Sequence, residues 1–378
     1  MEKVLNKKKI IILILIFFLL ILGSVFTILY KKNTSIRHFF DEYIFRKNIT
    51  ENTLPKIPIE NNVSFSYKNF IVCLEKNSLS FYNKSATKIS SLDMEISNPI
   101  FKSNDDFLCL AEKDGNKLCL ISDKNILWQK TIEGNITNIA VNKNGFVAVS
   151  ISDTTYTTIC KMFNTEGVEL FTTYLSKSYI VDFDISDNNK YLALAEANFS
   201  GISAESNIKI ISIDKASSGN IETIQYNHIA PIGDLIVNVK YCNDALICIY
   251  DNHIDVIKEN SCSEITNFEN SDILFADINT KLIQLEKMHT NIFSSEFELQ
   301  IINPNNLHKN TYTINREPKS IKTFGNITAI NFGTDILFIN NSGWLVKHYI
   351  SSQEVQDVFL SNDLAGIVFK GKVEILSF

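Results

Sequence analysis

The sequence predicts an all-β protein: a β-propeller of about eight four-stranded blades, seven being the alternative count, preceded by one transmembrane helix. Three observations predict it. Ile10 to Leu29 is an almost unbroken apolar run. From about Val63 onward one strand-and-turn theme returns at a period of about 40 residues, in the range of propellers and solenoids. The chain also carries 26 Phe and 13 Tyr with abundant Ile, but only 13 Gly and 6 Pro. That composition favours pleated, half-buried surfaces over helices and excludes a collagenous or linker-dominated chain.

Taken in order, residues 1–9 form a short basic tail with Lys3, Lys7, Lys8 and Lys9. Residues 10–30 are the membrane segment, the chain's expected membrane partner. The twenty residues from Ile10 to Leu29 rise about 30 Å as a helix, matching a bilayer core. A secretory signal has a shorter apolar stretch and an A-x-A-like cleavage site, and neither is found here, so an uncleaved anchor is expected. Lys31, Lys32 and Arg37 follow the helix, so the charge difference across it is small. The expected topology is tail inside and domain outside.

Residues 31–60 read as a juxtamembrane connector. Ser35 to Arg46 (SIRHFFDEYIFR) fits a short amphipathic helix at the membrane interface, or equally a spacer with no membrane contact. Pro55 and Pro58 mark entry into the domain.

Residues 61–378 carry the repeat, with units starting near residues 63, 98, 136, 180, 235, 272, 319 and 355. Turn-forming clusters follow the first strand of most units: Asn104-Asp105-Asp106, Asn142-Lys143-Asn144-Gly145, Asp187-Asn188-Asn189-Lys190, Asn243-Asp244, Asn279-Thr280-Lys281 and Asn362-Asp363. Second strands are expected at Ile71–Leu74, Leu108–Leu110, Phe146–Val149, Tyr191–Ala195, Leu246–Ile249, Leu282–Leu285 and Ile336–Ile339, continuous apolar runs suited to burial on both faces. Third strands alternate apolar, variable, apolar, as in Leu79-Ser80-Phe81, Leu118-Cys119-Leu120, Ile208-Lys209-Ile210, Ile254-Asp255-Val256, Leu299-Gln300-Ile301 and Val373-Glu374-Ile375. Ile159-Cys160-Lys161 and Leu345-Val346-Lys347 follow the theme imperfectly. The last unit has only three strands, so a segment between residues 51 and 61 is expected to supply the fourth and remove the exposed edge.

The stretch from Ile180 to Leu194 (IVDFDISDNNKYLAL) resembles the first two strands of a WD40-like blade. Asn125-Ile126-Leu127-Trp128 and Glu166 to Phe171 resemble the fourth-strand entry of quinoprotein (PQQ-like) repeats. The whole layout is similar to an uncharacterised family of clostridial single-pass membrane proteins. The resemblance implies a propeller fold and brings almost no functional residue with it. The Trp-Asp dipeptide of true WD40 repeats is absent.

No local motif carries chemistry. Residues 1–32 hold a charge of +5 and the remainder −11, so the domain is too acidic for nucleic acid. Cys73, Cys109 and Cys248 fall in second-strand runs and read as core filler, while Cys119 and Cys160 share one third-strand column. No disulfide or zinc spacing is found. The six His, at 38, 228, 253, 289, 308 and 348, form none of the paired metal spacings. Asp182 to Asp187 alternates like a calcium loop but lacks the required Gly and Glu. Trp128 and Trp344 read as packing residues. No catalytic or metal residue is assigned, and no cofactor. The insertion Glu196 to Asn207 (EANFSGISAESN) reads as a tolerated surface loop or, on a rigid scaffold, a binding element.

The expected function is a membrane-anchored, extracytoplasmic propeller serving as a binding or scaffolding module for a protein or other envelope component. The alternatives are a propeller enzyme, such as a quinoprotein-like dehydrogenase or a hydrolase, with its site at the central channel, and a membrane-tethered scaffold facing the cytoplasm.

Overall fold

The computed structural model describes residues 2–45, 47–50, 53–59, 63–104, 106–270, 272–288 and 296–378; the side chains of residues 2–8, 31, 32, 34, 35, 38, 42 and 43 are outside the description. His289 and the His38 side chain therefore lie outside the described residues.

Eight sheets follow one another along the chain. Blades 1 to 8 begin at residues 63, 99, 135, 179, 236, 273, 320 and 357, each within two residues of the start expected from the repeat. Blades 1 to 6 are four consecutive antiparallel strands. First strands of neighbouring blades approach one another, for example Tyr179–Ile185 of blade 4 and Ile236–Cys242 of blade 5, so the first strand is innermost and the fourth is outermost.

Unit 7 departs from the expected register. Ile336–Ile339 lies in the third strand (Asp335–Asn340), and Leu345-Val346-Lys347 opens the fourth (Leu345–Ile350). The true second strand is Ile327–Asn331, joined to Ser320–Phe324 by a two-residue turn at Gly325-Asn326. Its alternation of Thr328 and Asn331 with apolar residues weakens the apolar signal, although all five of its residues are buried.

The core is distributed. Each of eight apolar clusters fills the seam between two successive blades, including the seam between blades 8 and 1. Cys73, Cys109, Cys119, Cys160, Cys242 and Cys248 are all buried within these seams, and all seven cysteines are free. A small apolar side chain fits where two pleated sheets interdigitate closely.

Polar ties supplement the apolar seams. Asn142 donates from Nδ2 to the Ser186 carbonyl at 3.0 Å and to Asn189 Oδ1 at 2.6 Å, binding equivalent turns of blades 3 and 4. The asparagine-rich turns thus do more than accept positive φ, which Asn189 and Asn243 adopt at 59° and 57°.

The ring closes through the segment that precedes it. Lys56–Pro58 pairs antiparallel with Lys372–Ser377, the third strand of blade 8, and completes that blade. Asn48–Thr50 adds a fifth, parallel strand to blade 7. The second half of the 31–60 connector is therefore woven into the propeller. Ile57 is 1% exposed and packs with Ile59, Ile71, Cys73, Leu364, Val373 and Ile375 in the seam between blades 8 and 1. Replacing Ile57 with Ala is expected to lower stability by about 2–4 kcal/mol. Denaturant unfolding of the detergent-solubilised chain measures this, and a loss near zero would mean that closure does not depend on this strand.

Candidate functional site

The antiparallel path divides the loops between two faces of the ring. Turns joining first to second and third to fourth strands lie on one face, here the turn face. Links between second and third strands and between blades lie on the other, the link face.

The inner strands of blades 3 to 6 share a bulge near the link face, between Ile136/Asn138, Ile180/Asp182, Ile236/Asn238 and Ile273/Phe275. A bulge re-aims the extra side chain, and Val181, Val237 and Leu274 at these positions are exposed. Just below, Asp182 Oδ2 accepts from Val239 N at 3.1 Å and Asn238 Nδ2 at 2.8 Å, while Asp184 accepts from Tyr241 N at 2.8 Å. These carboxylates, the calcium-like pair of the sequence, are occupied in tying blade 4 to blade 5. Burial pushes the Asp184 carboxyl up to about 6, against the opposing pull of Lys240 and the Tyr241 amide.

The link face of blades 3 to 5 carries an apolar rim. Tyr156 and Tyr174 of blade 3 pack ring to ring at 4.7 Å, and Tyr179 and Phe199 of blade 4 at 6.3 Å. Ile202, Ile229 and Ile232 lie at the same face of blades 4 and 5, and all of these side chains are exposed. The 196–207 insertion builds part of this rim. Half of it lengthens the second and third strands of blade 4 to eight residues each, Tyr191–Asn198 and Glu205–Ser212, and only residues 199–204 form the loop. Glu196, 2% exposed, braces the hairpin through Lys209 at 2.8 Å and Ser178 at 2.9 Å. The loop therefore presents Phe199 and Ile202 from a stiff base, and apolar exposure of this density marks interaction surfaces.

On the turn face, at the outer edge of blades 6 and 7, a collar ties the N-terminal helix (Glu2–Lys32) to the ring. Tyr30 is fully buried, its ring stacked on Trp344 with centroids 4.9 Å apart. Its hydroxyl donates to Asp41, which pairs with Lys47 at 2.8 Å, and Lys47 donates to the Leu345 carbonyl. Arg37 donates to the Thr313 carbonyl and lies over the Tyr312 ring at 3.9 Å. Gly343, at φ +76°, forms the turn that presents Trp344, and a Cβ there would meet the Thr311 carbonyl at 2.8 Å. The chain between Tyr30 and Lys47 is a short α-helix, Thr34–Phe39, capped by Asn33, running into a π-helical turn, Phe40–Ile44. It is two-sided: Arg37 and Asp41 are buried toward the ring, while Phe39, Ile44 and Phe45 are exposed. Sequence reading gave Ser35 to Arg46 as an interfacial helix or spacer and Trp344 as a packing residue, but did not bring the two together. The available signal was the i, i+4 spacing of Arg37 and Asp41 within an otherwise apolar, aromatic stretch.

The remaining candidates scatter. Trp128 packs in the seam of blades 2 and 3 and donates from Nε1 to the Thr165 carbonyl at 3.0 Å. His308 is exposed, and His348 meets Asp335 at 3.1 Å. His228 and His253, however, converge with Asp255 and Cys262 at the seam of blades 4 and 5. Sequence spacing held no trace of this grouping, because the residues come from two blades.

The fold is shared widely and at low identity. The chain is similar to BamB from Moraxella catarrhalis, with TM-score 0.51 and 8% identity, covering 86% of this chain and 99% of that one. It is similar also to the C-terminal WD40 domain of Sif2, with TM-score 0.54 and 13% identity over the same shares. These likenesses concern the fold alone. A search of curated proteins gave no match. Residues 43–377 match the model of a family described as a family of unknown function (DUF5711).

Because folding raises the Asp184 carboxyl, the folded state holds a proton there that the unfolded chain releases. Its contribution is therefore present below the ordinary carboxylate pKa of about 4 and is lost as pH rises through about 6. Asp184→Asn keeps an acceptor for Tyr241 N and removes the buried charge. The variant should be more stable than the wild type at pH 7 by about 1–2 kcal/mol, with the gain fading toward pH 4. Thermal unfolding across this pH range checks it.

Proposed function

The chain belongs to this family of unknown function, which brings no activity with it, and on the structure's own features we propose a membrane-anchored binding module. The observation that carries the reading is the exposed apolar rim on the link face of blades 3 to 5, around Phe199, Ile202 and Ile232. Its aromatic content, its stiff base and its place on a closed ring suit a protein partner with a complementary apolar patch.

The anchor supports the same reading. Lys9–Tyr30 is the one described helix long and apolar enough to cross a membrane, and none of it is buried in the ring except at its end. A cleaved signal sequence would remove Tyr30 and with it the stack on Trp344, so the collar favours retention of the helix. Phe39, Ile44 and Phe45 then sit at headgroup level. The collar occupies the turn face of blade 7 and the rim lies on the link face, so the partner surface is presented on the side opposite the attachment. The ring lies outside the cytoplasm in this proposal, with the basic tail inside. The partner is a protein or other component of the envelope, and the module is not itself an enzyme.

A second reading, a tethered scaffold facing the cytoplasm, is favoured by one observation: all seven thiols are unpaired. A single Cys at position 202 of a cysteine-free variant, treated on intact cells with an impermeant thiol reagent, separates the two. Labelling supports the outside ring, and protection until lysis supports the cytoplasmic one.

The binding role is tested by photo-crosslinking in living cells. A crosslinker at position 202 or 232 should give discrete protein adducts, and one at Asn260 on the turn face should not. Phe199→Asp should abolish the adducts while leaving thermal unfolding within about 2 °C of wild type, as expected for an exposed site. Equal adducts from both faces would overturn the assignment. For the anchor, Tyr30→Ala combined with Arg37→Ala should leave the helix in place but free the ring from it. Limited proteolysis between residues 33 and 47 should then accelerate at least about tenfold, reflecting local opening.

A further inference from the structure

Three side chains that the sequence holds far apart meet where blade 4 packs on blade 5. His228 lies on the outer strand of blade 4 (Ile224–Ile229), Asp255 on the third strand of blade 5 (His253–Lys258) and Cys262 on its outer strand (Ser261–Asn267). Their alternation explains the meeting. Asp255 and Ile257 point to the same side of blade 5, Cys262 pairs with Ile257, and His228 follows Tyr226 onto the facing wall. One donor atom from each lies within 4.8 Å of the other two. Cys262 Sγ is 3.2 Å from Asp255 Oδ2 and 3.7 Å from His228 Nε2. A tetrahedral ion with bonds of about 2.0–2.3 Å places its donors about 3.3–3.8 Å apart, and both distances from the sulfur lie in or close to that range.

A second observation concerns His253, which stands beside the group. Asn252 donates from Nδ2 to Asp234 Oδ1 at 2.6 Å, which turns its Oδ1 toward His253 Nδ1 at 2.5 Å. An oxygen there calls for a proton on Nδ1, and Nε2 on the other side of the ring lies 3.4 Å from Asp255 Oδ2. A ring fixed by an outer amide and set beside a carboxylate is the kind of outer group that orients a metal ligand. Tyr250 stacks flat on the imidazole at 4.2 Å, and its buried hydroxyl has no partner among the described residues.

We propose that this seam binds one zinc ion through His228 Nε2, the Asp255 carboxylate and Cys262 Sγ, with His253 positioning the carboxylate. Sulfur in the set argues against calcium and magnesium, and mixed N, O and S donors at tetrahedral spacing favour zinc. Asp255 is buried, whereas His228 and Cys262 are half-exposed, so the ion enters from the outer edge and keeps one coordination position open. The site does not depend on the partner-binding reading of the rim.

The test uses the full chain in detergent, stripped with a chelator and titrated with Zn²⁺ and with Co²⁺. The expected result is one equivalent of zinc, a rise in the thermal unfolding midpoint with zinc, and a thiolate-to-cobalt charge-transfer band. Cys262→Ser should abolish the band, His253→Gln should weaken affinity about 10–100-fold, His228→Gln should weaken it by more, and Cys73→Ser should change nothing. The apo forms of these variants should melt like apo wild type, which separates lost ligation from lost folding. No uptake beyond a protein blank, or a cobalt band that survives Cys262→Ser, would overturn the proposal.

Discussion

Closure of the ring is the constraint on which the rest depends. No blade has a core of its own; every apolar cluster belongs to a seam between two blades. An open ring would leave one sheet face and one strand edge in water, both liabilities for a chain this rich in Ile and Phe. The strand Lys56–Pro58 resolves this by completing blade 8 beside blade 1. The same stretch of chain, a few residues earlier, forms the collar around Tyr30 and Arg37. Closure and anchorage are therefore one continuous segment, and the helix joins the ring as a braced strut in place of a loose tether.

That arrangement gives the two faces different tasks. The turn face carries the asparagine ties between blades and, at blade 7, the collar. The link face carries the inner-strand bulges and the apolar rim. Several inner strands also spend their polar groups on one another, as Asp182 and Asp184 do with blade 5 and Asp277 with Thr323 of blade 7. The exposed apolar side chains of blades 3 to 5 lie instead at the link-face rim.

Much of the fold was legible because propeller strands are short, local and marked by turns. The apolar-variable-apolar column and the Asn-rich clusters placed all eight unit starts, and the missing fourth strand of the last unit pointed to a closing segment upstream. Blade 7 was misread within its unit because Thr328 and Asn331 hide a buried strand and Gly325-Asn326 makes a turn with little polar signal. Sites were harder to read than strands. The collar joins residues near 30, 37, 41, 312 and 344 through contacts between distant segments, and the His228, Asp255 and Cys262 grouping spans two blades. Proximity of that kind is a product of ring geometry and leaves no local spacing to recognise. The 196–207 insertion was visible as an interruption, but its stiffness rests on the buried Glu196 and its pairing with Lys209, which only the folded hairpin reveals.

The pairing of residues 56–58 with residues 372–374 also bears on the order in which the chain is made. The strand that closes the ring precedes all eight units and its partner lies in the eighth, so it waits unpaired while the units between them emerge. During that interval each completed blade has a neighbour on one side only, and the growing array is an open stack. Closure then acts as a test of completeness: a chain interrupted anywhere before the final blade keeps a free edge that quality-control proteases and chaperones can read.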